Sequence, residues 1–291
     1  MARWGFGAVT YADGRIVVIG GFGEPNRMSP LNTIEIYEPS TGRWAMRSMP
    51  VNMGDVNAVG LADGRIFVAN GTSFGTLLPQ GRFYDPATDR WAVSGTSTPL
   101  TFVNLTLGRD GKAYMFGGSD DRAPRGYGYI QRYDPAADTV IRLMPNLPPS
   151  RDARSVTLGD GRMVVLGGAE LNQINLFDPV AVTLSRSTAS FPSARMSGAA
   201  ALGADGRVYY VGGFTIESGV AMGPLTESYA LDPASSALTS IAPLPEHRAW
   251  FALVARPGGR LTAIGGYNRT GDVRSVLAST VTYTIATNTW R

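Results

Sequence analysis

Cysteine is absent from this chain of 291 residues, and histidine and lysine occur once each, as His247 and Lys112. The lack of cysteine excludes disulfides, thiol nucleophiles and zinc–thiolate sites. Charged residues make up only 17% of the sequence and form no basic run that could follow a phosphate backbone. The net charge of +3 therefore does not indicate a nucleic-acid partner.

Long apolar runs are also missing. None approaches the roughly 18 residues of a membrane helix, and the start MARWGFGAVT lacks the basic, apolar and small-residue regions of a signal peptide. We therefore expect a soluble chain without a membrane partner, in a compartment that the sequence does not identify. Arginine far outnumbers lysine, which is typical of GC-rich bacterial genomes.

Glycine and proline, by contrast, are abundant, and many of the glycines belong to one phrase that recurs six times. Each copy begins with a turn glycine, and consecutive turn glycines are 45 to 53 residues apart. An apolar run follows and ends in paired glycines, except in the second copy, where Asn70 takes the first place. The runs are RIVVIGG, RIFVANG, KAYMFGG, RMVVLGG, RVYYVGG and RLTAIGG.

Each unit carries a second signature downstream of the glycines. An aromatic or leucine residue is followed seven residues later by Trp, Val or Leu, as in Tyr37 and Trp44. In five of the six units an acidic residue and a proline lie between them, which is turn chemistry. Turn residues recur every 8 to 12 positions and no helical period persists. The pattern therefore predicts four strands, A to D, in each unit.

Six four-stranded units with paired glycines and a downstream Tyr and Trp resemble the kelch β-propeller family. The resemblance implies an all-β, six-bladed β-propeller with four antiparallel strands per blade and a single domain over residues 1–291. Because each unit is one continuous segment, we expect the ring to close without a sheet shared between its two ends. The expected blades cover residues 1–50, 51–99, 100–148, 149–192, 193–245 and 246–291.

The connections of such a fold emerge on two faces. The A–B and C–D turns share one face and are nearly uniform, whereas the D–A and B–C connections share the other. The B–C connections vary most, from nine to 18 residues between the last glycine and the aromatic position. Variable loops on a rigid scaffold commonly build recognition sites, so we expect the binding face there.

Four arginines fall at or near the start of strand A: Arg3, Arg151, Arg195 and Arg248. In a propeller strand A lies nearest the axis, so we expect the four guanidiniums to converge at the channel mouth, where they would suit a carboxylate or sulfate. The alternative is a structural role, in which each guanidinium binds neighbouring backbone carbonyls, as is common in kelch repeats. The sequence leaves both readings open.

Other side chains are expected at the same face. Asp55, Asn57 and Asn104 would form a more neutral or acidic wall where blades 2 and 3 lack the arginine. Phe22 and Tyr267, in B–C connections, could stack on sugar rings or peptide side chains. The tryptophans of strand A, at positions 4 and 250, are expected to be buried between blades.

Glu246 and His247 form a weak candidate catalytic pair, since a histidine beside a carboxylate can act as a general base. The kelch-like copper oxidases need two histidines and a Tyr–Cys crosslink, which this sequence cannot supply. The resemblance favours a monomeric binding module for a peptide, protein or anionic glycan, without metal or cofactor. The alternative is an enzyme acting on an anionic sugar, similar to the sialic-acid epimerases.

Overall fold

The computed structural model describes residues 1–11, 13–23, 29–69, 71–97, 100–120, 122–143, 147–217, 220–270 and 273–291. Within these ranges the chain is built of β-strands, with a single 3₁₀ turn, Ile285–Thr287, as its one helical segment. Consistent with this, none of the described residues belongs to a helix that could cross a membrane.

The first half of the chain forms sixteen described strands. The first two units contain β1 (Arg3–Trp4), β2 (Gly7–Thr10), β3 (Ile16–Ile19), β4 (Phe22–Gly23), β5 (Ser29–Glu38), β6 (Arg43–Met53), β7 (Asn57–Gly60), β8 (Ile66–Ala69), β9 (Thr72–Ser73), β10 (Thr76–Leu77), β11 (Gln80–Asp85) and β12 (Arg90–Ser97). The third contains β13 (Asn104–Leu107), β14 (Ala113–Phe116), β15 (Ile130–Asp134) and β16 (Thr139–Leu143).

The second half adds seventeen described strands. The fourth and fifth units contain β17 (Arg154–Thr157), β18 (Met163–Leu166), β19 (Gln173–Asp178), β20 (Thr183–Ser190), β21 (Arg195–Met196), β22 (Ala199–Leu202), β23 (Val208–Val211), β24 (Phe214–Glu217), β25 (Val220–Pro224), β26 (Ser228–Asp232) and β27 (Ala237–Ile241). The sixth contains β28 (Ala252–Arg256), β29 (Arg260–Ile264), β30 (Tyr267–Thr270), β31 (Val273–Val276), β32 (Thr280–Thr284) and β33 (Thr289–Trp290).

Six antiparallel sheets of four principal strands each, which we call blades 1 to 6, are formed by the described residues. From strand A to strand D they are β2-β3-β5-β6, β7-β8-β11-β12, β13-β14-β15-β16, β17-β18-β19-β20, β22-β23-β26-β27 and β28-β29-β32-β33. Each A strand contacts the A strand of the next blade, and β28 contacts β2. The sheets therefore surround a common channel, and the chain is an all-β propeller, as the sequence predicts.

The ends of the chain meet without sharing a sheet. The outer strand of blade 6, β33, comes from the end of its own unit, and β1 pairs with β4 of blade 1. The junction is bridged instead by loop contacts, because the amide of Gly266 donates to the carbonyl of Arg3 at 2.7 Å and the amide of Gly5 donates to the carbonyl of Trp250 at 3.0 Å. The expectation of an unshared closing blade is confirmed.

The seven-residue spacing of the second signature is a direct cross-strand pairing of strands C and D. Tyr37 lies opposite Trp44 with ring centroids 5.2 Å apart. The same register recurs in the other five blades. Aromatic cross-strand pairs stabilise antiparallel sheets, which explains why this spacing survives where the turn between the strands differs.

The turns of the uniform face are stabilised by their own side chains. In the first A–B turn, Asp13 accepts hydrogen bonds from the amide of Arg15 at 3.0 Å and from its guanidinium at 2.8 Å. Gly14 between them has φ +86°, a conformation that favours glycine. The turns at Asp63, Asp160 and Asp205 repeat both bonds. The repeated Asp-Gly-Arg therefore has a local structural role.

The paired glycines after each B strand hold neighbouring blades together. The amide of Gly21 donates to the carbonyl of Met53 in the next unit at 2.8 Å, and a Cβ on Gly20 would lie 2.5 Å from that same oxygen. Equivalent amide bonds from Gly118, Gly168 and Gly213 reach the following units. A residue with a Cβ would hinder this close approach; Asn70, the one departure from the paired glycines, lies outside the described residues.

The core lies between blades. The B strands of blades 1 to 5 are buried along their whole length, and in blade 6 only Arg260 at the start of β29 is exposed. Both faces of these strands pack against neighbours, which explains why the runs are continuously apolar. One cluster, for example, joins Val17 and Ile34 of blade 1 to Val56 and Ile66 of blade 2. The inner ends of the A strands are thereby held rigidly around the channel.

Candidate functional site

A ring of left-handed residues marks one mouth of the channel. In every blade the residue two positions before strand A has φ between +49° and +61°. Five of the six are not glycine, and such conformations cost about 1–3 kcal/mol each unless the surroundings impose them. We call these residues the channel ring: Gly5, Asp55, Phe102, Asp152, Ser197 and Trp250.

Backbone hydrogen bonds around the ring impose this conformation. The amide of Asp152 donates to the carbonyl of Phe102 at 2.9 Å, Ser197 donates to Asp152 at 3.2 Å, and Trp250 donates to Ser197 at 2.8 Å. The bond from Gly5 to Trp250 continues the series. The ring side chains are therefore held in fixed positions at the mouth, which is the preorganisation that a binding site needs.

The ring opens into a cavity of about 180 Å³ inside the channel. Asp55, Asp152 and Arg154 are the charged residues among its described lining, and Asn57 and Asn104 contribute amides. The amide-bearing wall that the sequence predicts on blades 2 and 3 therefore lies in the channel. Asp152 and Arg154, from the adjacent blade 4, add a carboxylate and a cation to the lining.

Asp55 carries the most perturbed accessible carboxyl of this cavity. It is partly exposed to the channel, and the hydroxyl of Thr72 donates to its Oδ2 at 3.2 Å. Burial, with a further contribution from the negative charge of Asp152, raises the pKa of Asp55 to about 7. A carboxyl in this state changes its charge near neutral pH.

Asp152 is more deeply buried than Asp55, and neighbouring groups compensate the charge of its carboxylate better. Ser197 donates its hydroxyl to Oδ2 at 3.0 Å, and a guanidinium nitrogen of Arg154 lies 3.7 Å from Oδ1. Arg154 also donates to the carbonyls of Gly198, at 2.6 Å, and Ala153, at 2.7 Å. Burial raises the pKa of Asp152, and the charge of Arg154 opposes that rise.

Arg3 lies inside its own blade rather than in the channel. Its guanidinium is almost fully buried and donates to the carbonyls of Gly20, at 2.8 Å, and Thr33, at 3.3 Å. It also forms an ion pair with Glu35 at 3.0 Å. Burial lowers the pKa of Arg3, and the charge of Glu35 opposes that change. The side chain thus fastens the first glycine of its blade to strand C.

Arg248 and Arg195 follow the same arrangement. Arg248 is buried, donates to the carbonyl of Gly265 at 2.6 Å and pairs with Glu246. Arg195 is buried and pairs with Glu227. The expected convergence of four guanidiniums at the mouth is therefore wrong for these two and for Arg3, because each has acceptors in its own blade. Ligand contact by any of them stays a prediction, and their burial weighs against it.

Arg151 differs because it lies one position later in its unit. The residue that corresponds to Arg3 in blade 4 is Ser150, two positions before the channel ring. The guanidinium carbon of Arg151 lies 5.9 Å from the ring centroid of Phe102, and no partner for its buried Nε is found among the described residues. Of the four arginines, Arg151 is the one that borders an open cavity.

That cavity, which we call the groove, has a volume of about 460 Å³ and crosses blades 2, 3 and 4. Phe102 lines both the groove and the channel cavity, so the two adjoin at this residue. The groove is defined by Thr72, Gly75, Leu77, Thr101, Phe102, Ser119, Asp120, Pro124 and Arg151.

Phe22 and Tyr267 belong to an aromatic cluster on the other side of the mouth. Trp4 lies 4.6 Å from Phe22 and 5.1 Å from Trp250, measured between ring centroids, and Trp250 lies 5.7 Å from Tyr267. Phe214 of blade 5 extends the cluster. Phe22 is buried there and Tyr267 is partly buried, so their rings pack against protein. The expected burial of the two tryptophans is seen for Trp4 and in part for Trp250.

Glu246 and His247 do not form a common unit. The carboxylate of Glu246 accepts hydrogen bonds from Arg248 and from the hydroxyl of Ser279, the latter at 2.8 Å. His247 is exposed on the connection to blade 6. The pair therefore has its carboxylate engaged in holding Arg248, and no geometric feature favours a catalytic role for it.

The family model for the kelch motif matches residues 3–47, which include strands A, B and C of blade 1 and the first part of strand D. This match shows a kelch motif in the first unit and supports the resemblance of the repeats to the kelch family. A search of the curated proteins gave no match. Kelch repeats generally mediate protein–protein interaction, and a protein partner is the class of ligand that the family indicates.

The kelch spacing contains a signal for two site residues that the sequence reasoning missed. The position at the start of strand A points to Arg151 but not to Asp152 or Phe102. Aligning the residue two positions before each A strand would have placed both in the same ring as Asp55. Their positive φ, which exposes this equivalence, is visible only in the structure.

Proposed function

We propose that this protein is a binding module that takes a segment of a partner protein across the groove of blades 2, 3 and 4. The observation that carries the proposal is the groove itself, an open cavity of about 460 Å³ built from D–A and B–C connections. The turns of the opposite face vary less, because four of them repeat one Asp-Gly-Arg arrangement.

The groove offers a cation and apolar surface side by side. Arg151 lies over Phe102, and this stacking leaves the guanidinium positioned for a fork-like contact to a carboxylate. The hairpin β9–β10 carries Phe74, whose side chain is 71% exposed next to the groove-lining Gly75. Arginine and aromatic residues are enriched among binding hot spots. An acidic residue beside an apolar one is therefore the partner sequence that this surface fits.

The test is selection of a displayed random peptide library on the purified protein, followed by affinity measurement of the selected peptides. We expect selected peptides to share an acidic residue beside an apolar one. Arg151→Met should weaken their binding by about tenfold or more, since a charged hydrogen bond is worth roughly 1.5–3 kcal/mol.

Arg162→Met is the matched control, because Arg162 pairs with Asp160 on the opposite face. Phe74→Ser tests the apolar contribution separately, because an exposed hairpin residue can change without loss of the fold. The proposal would be overturned if no peptide could be selected. It would also be overturned if the selected peptides lost affinity for the Arg162→Met variant and not for the Arg151→Met variant.

A further inference from the structure

The channel cavity has an unbalanced charge. Two carboxylates, Asp55 and Asp152, and one cation, Arg154, are the charged groups among its described lining residues. Arg154 is committed to Asp152 and to two backbone carbonyls. No described residue forms an ion pair with Asp55, whose recorded polar contact is the neutral hydroxyl of Thr72. The negative charge of Asp55 is therefore left for a ligand.

A second, independent group points into the same cavity. Asn104 begins the neighbouring A strand, is 5% exposed, and its Nδ2 has no hydrogen-bond partner among the described residues. An unsatisfied buried donor costs roughly 1–3 kcal/mol, so such groups call for a partner. A ligand oxygen would satisfy it. Asp55 and Asn104 together thus present an acceptor and a donor on adjacent blades.

The surroundings suit a cation. Phe102 and Trp250 are among the lining residues, and aromatic side chains attract ammonium groups. The positive φ of Asp55, Phe102 and Trp250 holds these side chains at the mouth without a change of backbone conformation. Little ordering is then required when a ligand enters.

We propose that the channel cavity binds an amino alcohol group, that is, a protonated amine with a neighbouring hydroxyl. The Asp55 carboxylate accepts the N–H of the amine, and the Asn104 amide donates to the hydroxyl oxygen. The group can belong to a free small molecule or to an amino sugar of a larger ligand. This site is separate from the groove and does not depend on the proposed peptide binding.

Binding is coupled to the protonation of Asp55. The facing titratable and charged groups are Asp152 and Arg154, and Asp152 disfavours the Asp55 carboxylate in the empty protein. An ammonium ligand stabilises that carboxylate and must therefore lower its pKa. The affinity for the amine should accordingly rise as the pH increases through about 7.

The test compares three small probes at pH 8 and low ionic strength, titrated by NMR against the intact chain. Ethanolamine carries both groups, ethylene glycol carries only hydroxyls, and ethylamine carries only the amine. We expect ethanolamine to bind about tenfold more tightly than ethylene glycol and measurably more tightly than ethylamine.

Two variants assign the contacts. Asp55→Asn, which keeps a residue that tolerates positive φ, should abolish the advantage of ethanolamine over ethylene glycol. Asn104→Leu should abolish its advantage over ethylamine. Asp63→Asn is the matched control, since Asp63 is an exposed turn residue of the same blade, and it should change neither.

The proposal would be overturned if the unmodified protein bound ethanolamine and ethylene glycol equally. It would also be overturned if the Asp55→Asn variant still bound ethanolamine more tightly than ethylene glycol. The absence of binding by both amines would overturn it as well. Because the probes are not peptides and Arg151 is not involved, this result is independent of the outcome for the groove.

Discussion

The two sides of the channel mouth use the same repeat position in different ways. In blades 5, 6 and 1, which we call the closed half, that position is an arginine buried against a glutamate of its own blade. In blades 2, 3 and 4, the open half, the position is taken by Met53, Leu100 and Ser150. The closed half therefore holds these charged groups in internal ion pairs, whereas the open half leaves charged groups next to the cavities.

The B–C connections at the channel mouth also differ between the closed half and the open half. The B–C connections of the closed half are the three longest, and their aromatic residues pack on one another around Trp250. Those of the open half are shorter and leave the groove between β9–β10 and the connection of blade 3. Loop length alone therefore does not mark a binding site, because the aromatic residues of the longest loops pack against one another.

Removing a buried arginine of the closed half should have the largest effect. Arg248→Met removes the donor to the carbonyl of Gly265 and the cation that pairs with Glu246, and breaking a buried pair in this way costs up to about 3–5 kcal/mol. Arg151→Met, in the open half, should cost less than about 1 kcal/mol. Urea unfolding of both variants measures the contrast; similar losses would contradict the division into halves.

Replacing the uncompensated carboxyl of the open half should stabilise the protein in a pH-dependent way. Burial raises the pKa of Asp55 to about 7 in the folded state from 3.8, so the folded protein holds a proton that the unfolded chain releases between these values. Stability should therefore fall as the pH rises from 4 to 7, and remain reduced above it.

Asp55→Asn should remove that loss, giving roughly 1–3 kcal/mol of additional stability at pH 8 and little difference at pH 4. Denaturant unfolding at the two pH values measures it. A gain of equal size at both values would show that the carboxyl is not the cause.

The smallest predicted effect concerns a turn of blade 4. Val182 occupies the left-handed position of the C–D turn with φ +53°, whereas blade 1 of the closed half has Gly42 there with φ +67°. A β-branched residue is strained in this conformation, so Val182→Asn should add about 1 kcal/mol of stability. The reverse change, Gly42→Val, should lower the free energy of unfolding by a similar amount. If neither variant changed the free energy of unfolding, the strain would be refuted.

The fold could be predicted from sequence because its signals are local. The turn glycines and the Tyr-to-Trp spacing are set within ten residues, and each corresponds to one turn or one cross-strand pair. The same locality explains the unshared closing blade, since every strand of blade 6 lies in one segment.

The site could be predicted only in part. Asn57, Asn104 and Asp55 line the channel cavity, and their strand positions could be predicted because these too are local. The direction of an arginine is not local, since the partner of Arg195 is Glu227, 32 residues away on another strand. Nothing in the sequence near Arg195 reveals that pairing.

The central claim is that recognition belongs to the open half. Hydrogen exchange measured on the protein with and without a selected peptide tests it directly. We predict slower exchange in residues 71–77, 100–105 and 147–154, with the connections of blades 5 and 6 unchanged. Protection confined to residues 214–217 and 267–270, or to the Asp-Gly turns of the opposite face, would contradict it.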